Sequence, residues 1–283
     1  MGRLRDKMDA DLRLAGRSES TRRNYLDCAK LFVKHFMRPA EAMGEAEVRQ
    51  FLLHLAEESK VSVGRYLQYL GALKFLYGVT LGRKDVVAGI PWPHVPRRSL
   101  DVLTRPEVAA ILTAAPSAYW RAFFMTGYAT GMRRMEVAAL QIQDIDAAAG
   151  LIRVRCGKGG KARLVMLDPE LHATLREHWR LHRLPGPWLF PGRAAWGWSG
   201  LPVALREATQ TFHKTAIAAG ISRRVTLHGL RHAYATHSLE DGVDLATLQQ
   251  ILGHEHLETT VRYTQVRTDR IRSTPSPLAK LRT

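Results

Sequence analysis

The run LIRVRCGKGGKARLVML, residues 151–167, decides how the chain is built. Leu151 to Arg155 and Arg163 to Leu167 are rich in side chains that suit a pleated, half-buried surface. Between them, Gly157, Lys158, Gly159 and Gly160 supply the backbone freedom that a chain reversal needs. The stretch predicts a β-hairpin with a glycine-rich, basic tip. Apolar residues on both sides of it recur at helical spacing, so the expected fold is mainly α with a small β-sheet.

Moving upstream, Thr104 to Glu107 forms a TxxE capping box with Pro106 in the first turn, and Val108, Ile111 and Leu112 follow as a buried stripe. Before that lies Pro91-Trp92-Pro93-His94-Val95-Pro96-Arg97-Arg98, where three prolines in six residues forbid helix and favour an extended connector. Residues 91–100 are therefore expected to link two domains. In residues 1–90 the apolar positions Tyr25, Cys28, Phe32 and Phe36, then Val48, Phe51, Leu52 and Leu55, then Tyr66, Leu70, Leu73 and Tyr77 all keep helical spacing. The first domain is expected to be a helical bundle, with its first helix starting near Ser20. Downstream of the hairpin the helical period resumes at Pro169, with a Trp-, Gly- and Pro-rich loop expected from Pro185 to Pro202. The second domain is assigned to 101–272 and a short tail to 273–283.

Composition narrows the function. The chain has 283 residues, 46% of them hydrophobic, which is enough to bury a core and excludes a disulfide-stapled miniprotein. Its formal charge is +16, and most of its cations are arginine, whose planar fork matches phosphate oxygens. Both halves share that excess, so both can face a polyanion. Cys28 and Cys156 are far apart with no CxxC spacing, which fits a reducing compartment. No apolar run approaches the ~18 residues a membrane span needs, and MGRLRDKMDADLR lacks the apolar centre of a signal peptide. A cytoplasmic location is expected.

Four strings carry candidate chemistry. In LHGLRHAYATH, residues 227–237, His228 and Arg231 share a helix face with His232 beside them, and Thr226 is the expected N-cap. Free backbone donors and the dipole at such a helix start would reinforce cations on a phosphate. In YATGMRRMEVAAL, residues 128–140, Gly131 lets the chain turn towards a helix carrying Arg133, and Glu136 can hold the Arg133 fork. In ILGHEH, Gly253 ends a helix and His254 follows; Tyr263 comes nine residues later in TTVRYTQV. Zinc is the competing reading, since His228 and His232 stand at i and i+4 with His254 and His256 nearby. No acidic general base or further ligand accompanies that pair, and Arg231 sits inside the cluster.

In chain order, TGMRRME, the hairpin CGKGGKARLV, HGLRH, LGH and Tyr263 resemble the tyrosine recombinase (phage integrase) family, in its compact two-domain form. The resemblance runs from about Leu103 to Val266, and the helical first part looks like the family's DNA-clamping core-binding domain. It implies that Arg133, Lys158, His228, Arg231 and His254 activate a phosphodiester, that Tyr263 is the nucleophile, and that Glu136 supports the first arginine. Arg134 and Met135 replace the apolar and small residues usual at their positions. The implied activity is site-specific cutting and rejoining of double-stranded DNA through a 3′-phosphotyrosine link, by a homotetramer on DNA. The link conserves the bond energy, so no metal or nucleotide cofactor is expected. The tail, with Leu278 and Leu281, is expected to pack on a neighbouring copy. Two other readings share parts of this evidence: a type IB topoisomerase, and a DNA-binding protein without catalysis.

Overall fold

The structure, a computed structural model, describes residues 2–94, 101–155, 162–182, 186–195 and 197–253. The chain divides into two compact units, Met1–Ser99 and Leu100–Thr283.

The first unit is helical throughout: α1 (Gly2–Leu14), α2 (Glu19–Phe36), α3 (Glu45–Glu57), α4 (Val63–Phe75) and the short α5 (Asp85–Ala88). Ser18 and Ser62 start α2 and α4 by accepting hydrogen bonds from the backbone N–H groups of Thr21 and Arg65, and the Glu47 carboxylate accepts from Gly44 N–H at the start of α3. The predicted stripes are the faces that go inside. Cys28, Phe32, Val48, Phe51, Leu52, Leu55, Leu70, Leu73 and Tyr77 form one core, and the Tyr77 hydroxyl donates to Ala40 O at 3.0 Å. One expectation is corrected here, because a helix precedes Ser20. In α1, Leu4, Met8 and Leu12 repeat every four residues, and Met8 and Leu12 are buried in the same core.

The second unit opens with α6 (Arg105–Thr113), capped by the Thr104–Glu107 box, then the buried α7 (Ala118–Thr130) and the short α8 (Arg134–Ala138). A three-stranded antiparallel sheet follows in the order β1 (Ile145–Asp146), β2 (Leu151–Val154), β3 (Arg163–Met166), with Val154 opposite Arg163 at the root of the hairpin. Next come α9 (Pro169–His182), β4 (Pro191–Ala194), β5 (Gly197–Pro202), α10 (Leu205–Ala218), α11 (Leu227–Glu240) and α12 (Leu245–Leu252). The β4–β5 pair is a second correction, since that stretch reads as loop in the sequence. Its register is held from outside: the Trp198 ring stacks on Tyr119 at 5.4 Å, and Tyr119 donates to Pro191 O at 2.9 Å. The core of the unit centres on Phe123, Phe124, Phe190, Phe212 and Leu230, and α11 and α12 add a smaller cluster of Ala235, Leu239, Leu248 and Leu252.

Candidate phosphate-activating site

The site is assembled where α7, α8, β3, α11 and α12 end or begin. Helix α7 stops at Gly131, whose φ of +61° is the left-handed value that glycine tolerates without strain. Two residues later Arg133 stands as the N-cap of α8, not within it as the sequence suggests. This places its backbone N–H and its guanidinium on the same partner. The Glu136 carboxylate accepts from Arg133 N–H at 2.7 Å and from Arg133 Nη1 at 2.9 Å.

Glu136 has a second arginine. Arg163, the first residue of β3, donates from Nη1 to Oε1 at 3.0 Å and from Nη2 to Oε2 at 2.6 Å. Burial pushes the Glu136 carboxyl up, but the Arg163 fork, the Arg133 backbone N–H, the Arg163 charge and the Arg133 side-chain hydrogen bond outweigh it and hold the group below the ordinary glutamate value. Glu136 is therefore an anion that receives two donors on each oxygen.

Helix α12 supplies the opposite wall. It starts at the Asp244 cap and ends at Gly253, again with φ +61°. The last carbonyls of a helix lack intrahelical partners and carry the negative end of its dipole. Three arginines satisfy them here: Arg163 Nε donates to Ile251 O at 2.6 Å, Arg231 Nη2 to Leu252 O at 2.6 Å, and Arg133 Nη2 to Gly253 O at 2.9 Å. Arg231 Nη1 also donates to Gly131 O at 2.7 Å, so this buried arginine of α11 ties the end of α7 to the end of α12.

His228 lies on the first turn of α11, one turn before Arg231, after Thr226 at the N-cap; no side-chain bond from Thr226 caps the helix. Its ring meets His232 edge-on at 4.4 Å. Desolvation by the surrounding protein, then the charges of Arg231, Arg133 and Arg134, hold the imidazole below the usual histidine range. At neutral pH it is a neutral ring that can donate one hydrogen bond. Among the described residues no group of three or more His, Cys, Asp or Glu side chains is arranged to hold a metal ion, and His254 and His256 of the zinc reading lie outside them.

The structure thus brings Arg133, Glu136, His228 and Arg231 to one place. Lys158, His254 and Tyr263 lie outside the described residues, as do the connector residues 95–100 and the tail. In the sequence Arg163 reads only as the start of the second hairpin strand. Its true setting could have been read from the strand itself. With Val165 buried, period-two alternation turns Arg163 inward as well, while Leu164 and Met166 are 55% and 61% exposed.

Residues 101–270 match the phage integrase family, and residues 4–85 match the N-terminal SAM-like domain of phage integrases. The chain belongs to the phage integrase family. A provisionally named integrase/recombinase of Sinorhizobium fredii is 36% identical over 98% of this chain and 89% of its own length. The tyrosine recombinase XerA of Thermococcus kodakarensis is 30% identical over 94% of this chain and 92% of its own. A lambda integrase tetramer bound to a Holliday junction superposes with a TM-score of 0.74 at 20% identity, over 97% of this chain and 79% of that chain, which marks the shared fold. Among the described residues no helix of this integrase-family chain is long and apolar enough to cross a membrane.

Proposed function

We propose that the chain is a site-specific DNA recombinase of the tyrosine type, which cuts and rejoins double-stranded DNA through a covalent link to Tyr263. The observation that carries this reading is the convergence of Arg133 and Arg231 on the end of α12, after which the sequence runs on to His254 and Tyr263.

The chemistry follows from the groups. A phenol of pKa ~10 is a weak nucleophile towards a phosphodiester, so the five-coordinate phosphorus must be stabilised and the leaving oxygen protonated. Arg133 and Arg231 neutralise the nonbridging oxygens, with His228 and His254 donating hydrogen bonds to them. The Tyr263 oxygen forms a bond to phosphorus and loses its proton, the bond to the 5′ oxygen breaks, and Lys158 gives that oxygen a proton. Attack of a 5′ hydroxyl on the phosphotyrosine reverses the step and, with the hydroxyl of another strand, completes an exchange. Glu136 orients Arg133. The helical unit of residues 1–90 grips the DNA backbone, with residues 101–272 as the catalytic domain, four copies acting together on cytoplasmic DNA. The +16 charge supports a binding mode dominated by phosphate contacts.

The test is crossing-over. Duplexes from the DNA flanking the coding sequence are screened for covalent attachment, and the attachment site is then placed in two copies on one plasmid. Recombinant products are expected. Relaxation of supercoils without exchange would point to the topoisomerase reading, and binding with no covalent adduct to a DNA-binding protein without catalysis.

A further inference from the structure

The phosphate chemistry above makes no use of Arg163. Its side chain is only 9% exposed, and all three of its nitrogens donate within the protein, one to Ile251 O and two to Glu136. It joins three elements that matter separately: β3, which leads out of the hairpin tip; α8, whose N-cap is Arg133; and the last turn of α12. Gly253 is fitted to it, since a Cβ there would lie 3.2 Å from Arg163 Cδ and 3.3 Å from its Nη1. A guanidinium aimed this way is a bracket and not a DNA contact. Without it, Glu136 keeps a single cationic partner and its carboxylate plane is free to turn, carrying the Arg133 fork with it.

We propose that Arg163 is a positioning residue for strand cleavage, fixing Glu136 and the end of α12 and, through them, the fork of Arg133. This rests on the recombinase reading. Arg163→Met and Arg163→Lys are compared with the unmutated chain in single-turnover adduct formation, on a nicked duplex carrying the mapped cleavage site. A second duplex has a racemic methylphosphonate at the scissile position, which removes the nonbridging charge that Arg133 must neutralise.

On the natural phosphodiester Arg163→Met should be about 10²-fold slower, with DNA affinity changed by less than about 2-fold, the pattern of a group lost from the transition state alone. On the methylphosphonate the defect should shrink to about 3-fold or less, because a misaimed Arg133 then costs little. Arg163→Lys keeps the charge without the fork and should fall between the two; it carries the comparison if Arg163→Met fails to fold. Equal loss on both duplexes would overturn the proposal in favour of a purely structural role, as would an unchanged rate on the phosphodiester. If the unmutated chain formed no adduct, the recombinase reading would fall and this proposal with it.

Discussion

Gly131 shows how one residue serves both fold and site. Its φ is +61°, a Cβ there would lie 2.8 Å from Tyr234 Cε1 and 3.0 Å from Leu252 Cδ2, and its carbonyl receives Arg231 Nη1. Gly131→Ala should cost about 1–2 kcal/mol for a left-handed alanine and about 1–3 kcal/mol for overpacking. Urea unfolding should show that loss together with slower cleavage, and a variant as stable as the parent would contradict this placement. Lys158 has a sharper chemical test. If it protonates the 5′ oxygen, a 5′-bridging sulfur, which leaves as a thiolate of pKa ~8.5, makes it dispensable. Lys158→Ala should then be slow on ordinary DNA yet near the parent rate on the sulfur substrate, while Arg231→Ala stays slow on both. Equal impairment of Lys158→Ala on the two substrates would demote it to phosphate binding. At this scale the sequence exposed the residues whose spacing is local: Arg133 with Glu136 three positions on, and His228 with Arg231. It hid the use of Arg163, because that depends on Glu136 and Ile251, 27 and 88 positions away.

Among the elements, those with a clean period were legible and those held by neighbours were not. The stripes of α2, α3 and α4 and the Thr104 capping box needed no tertiary information. The β4–β5 hairpin did, since Pro191, Gly192, Gly197, Gly200 and Pro202 look like loop until Trp198 stacks on Tyr119. That hairpin packs beside α9, where His178 donates from Nε2 to Leu189 O at 3.0 Å. Burial lowers its pKa to about 4, the Leu189 bond working against the fall and the charge of His182 adding to it. The folded value lies below the ordinary ~6.5, so the unfolded chain takes up the proton first as pH drops. Stability from this group is complete above pH ~6.5 and is lost towards pH 4, by about 3 kcal/mol. His178→Gln keeps a donor for Leu189 and removes the titration. Its urea midpoint should therefore fall less between pH 7 and 4 than that of the parent, and parallel pH profiles would contradict the assignment.

At the scale of the whole molecule, the two units differ in what they contribute. The first is a helical core with cationic surface, and its sequence names no chemistry beyond charge. The second gathers Arg133, Arg163 and Arg231 from three elements onto the carbonyls that end α12. Order along the chain made this family legible, because five short strings that are each commonplace occur in one sequence with the right spacing. Their meeting in space required the fold. The central claim is that this assembly serves a nucleophile at Tyr263, and the most direct measurement is the identity of the residue joined to DNA. The parent chain and Tyr263→Phe are incubated with the nicked duplex, trapped in denaturant, digested and read by mass spectrometry. The account predicts a 3′-phosphate ester on Tyr263 in the parent and no adduct in Tyr263→Phe, which should still fold and bind DNA. An adduct on any other residue, or one that survives in Tyr263→Phe, would contradict it.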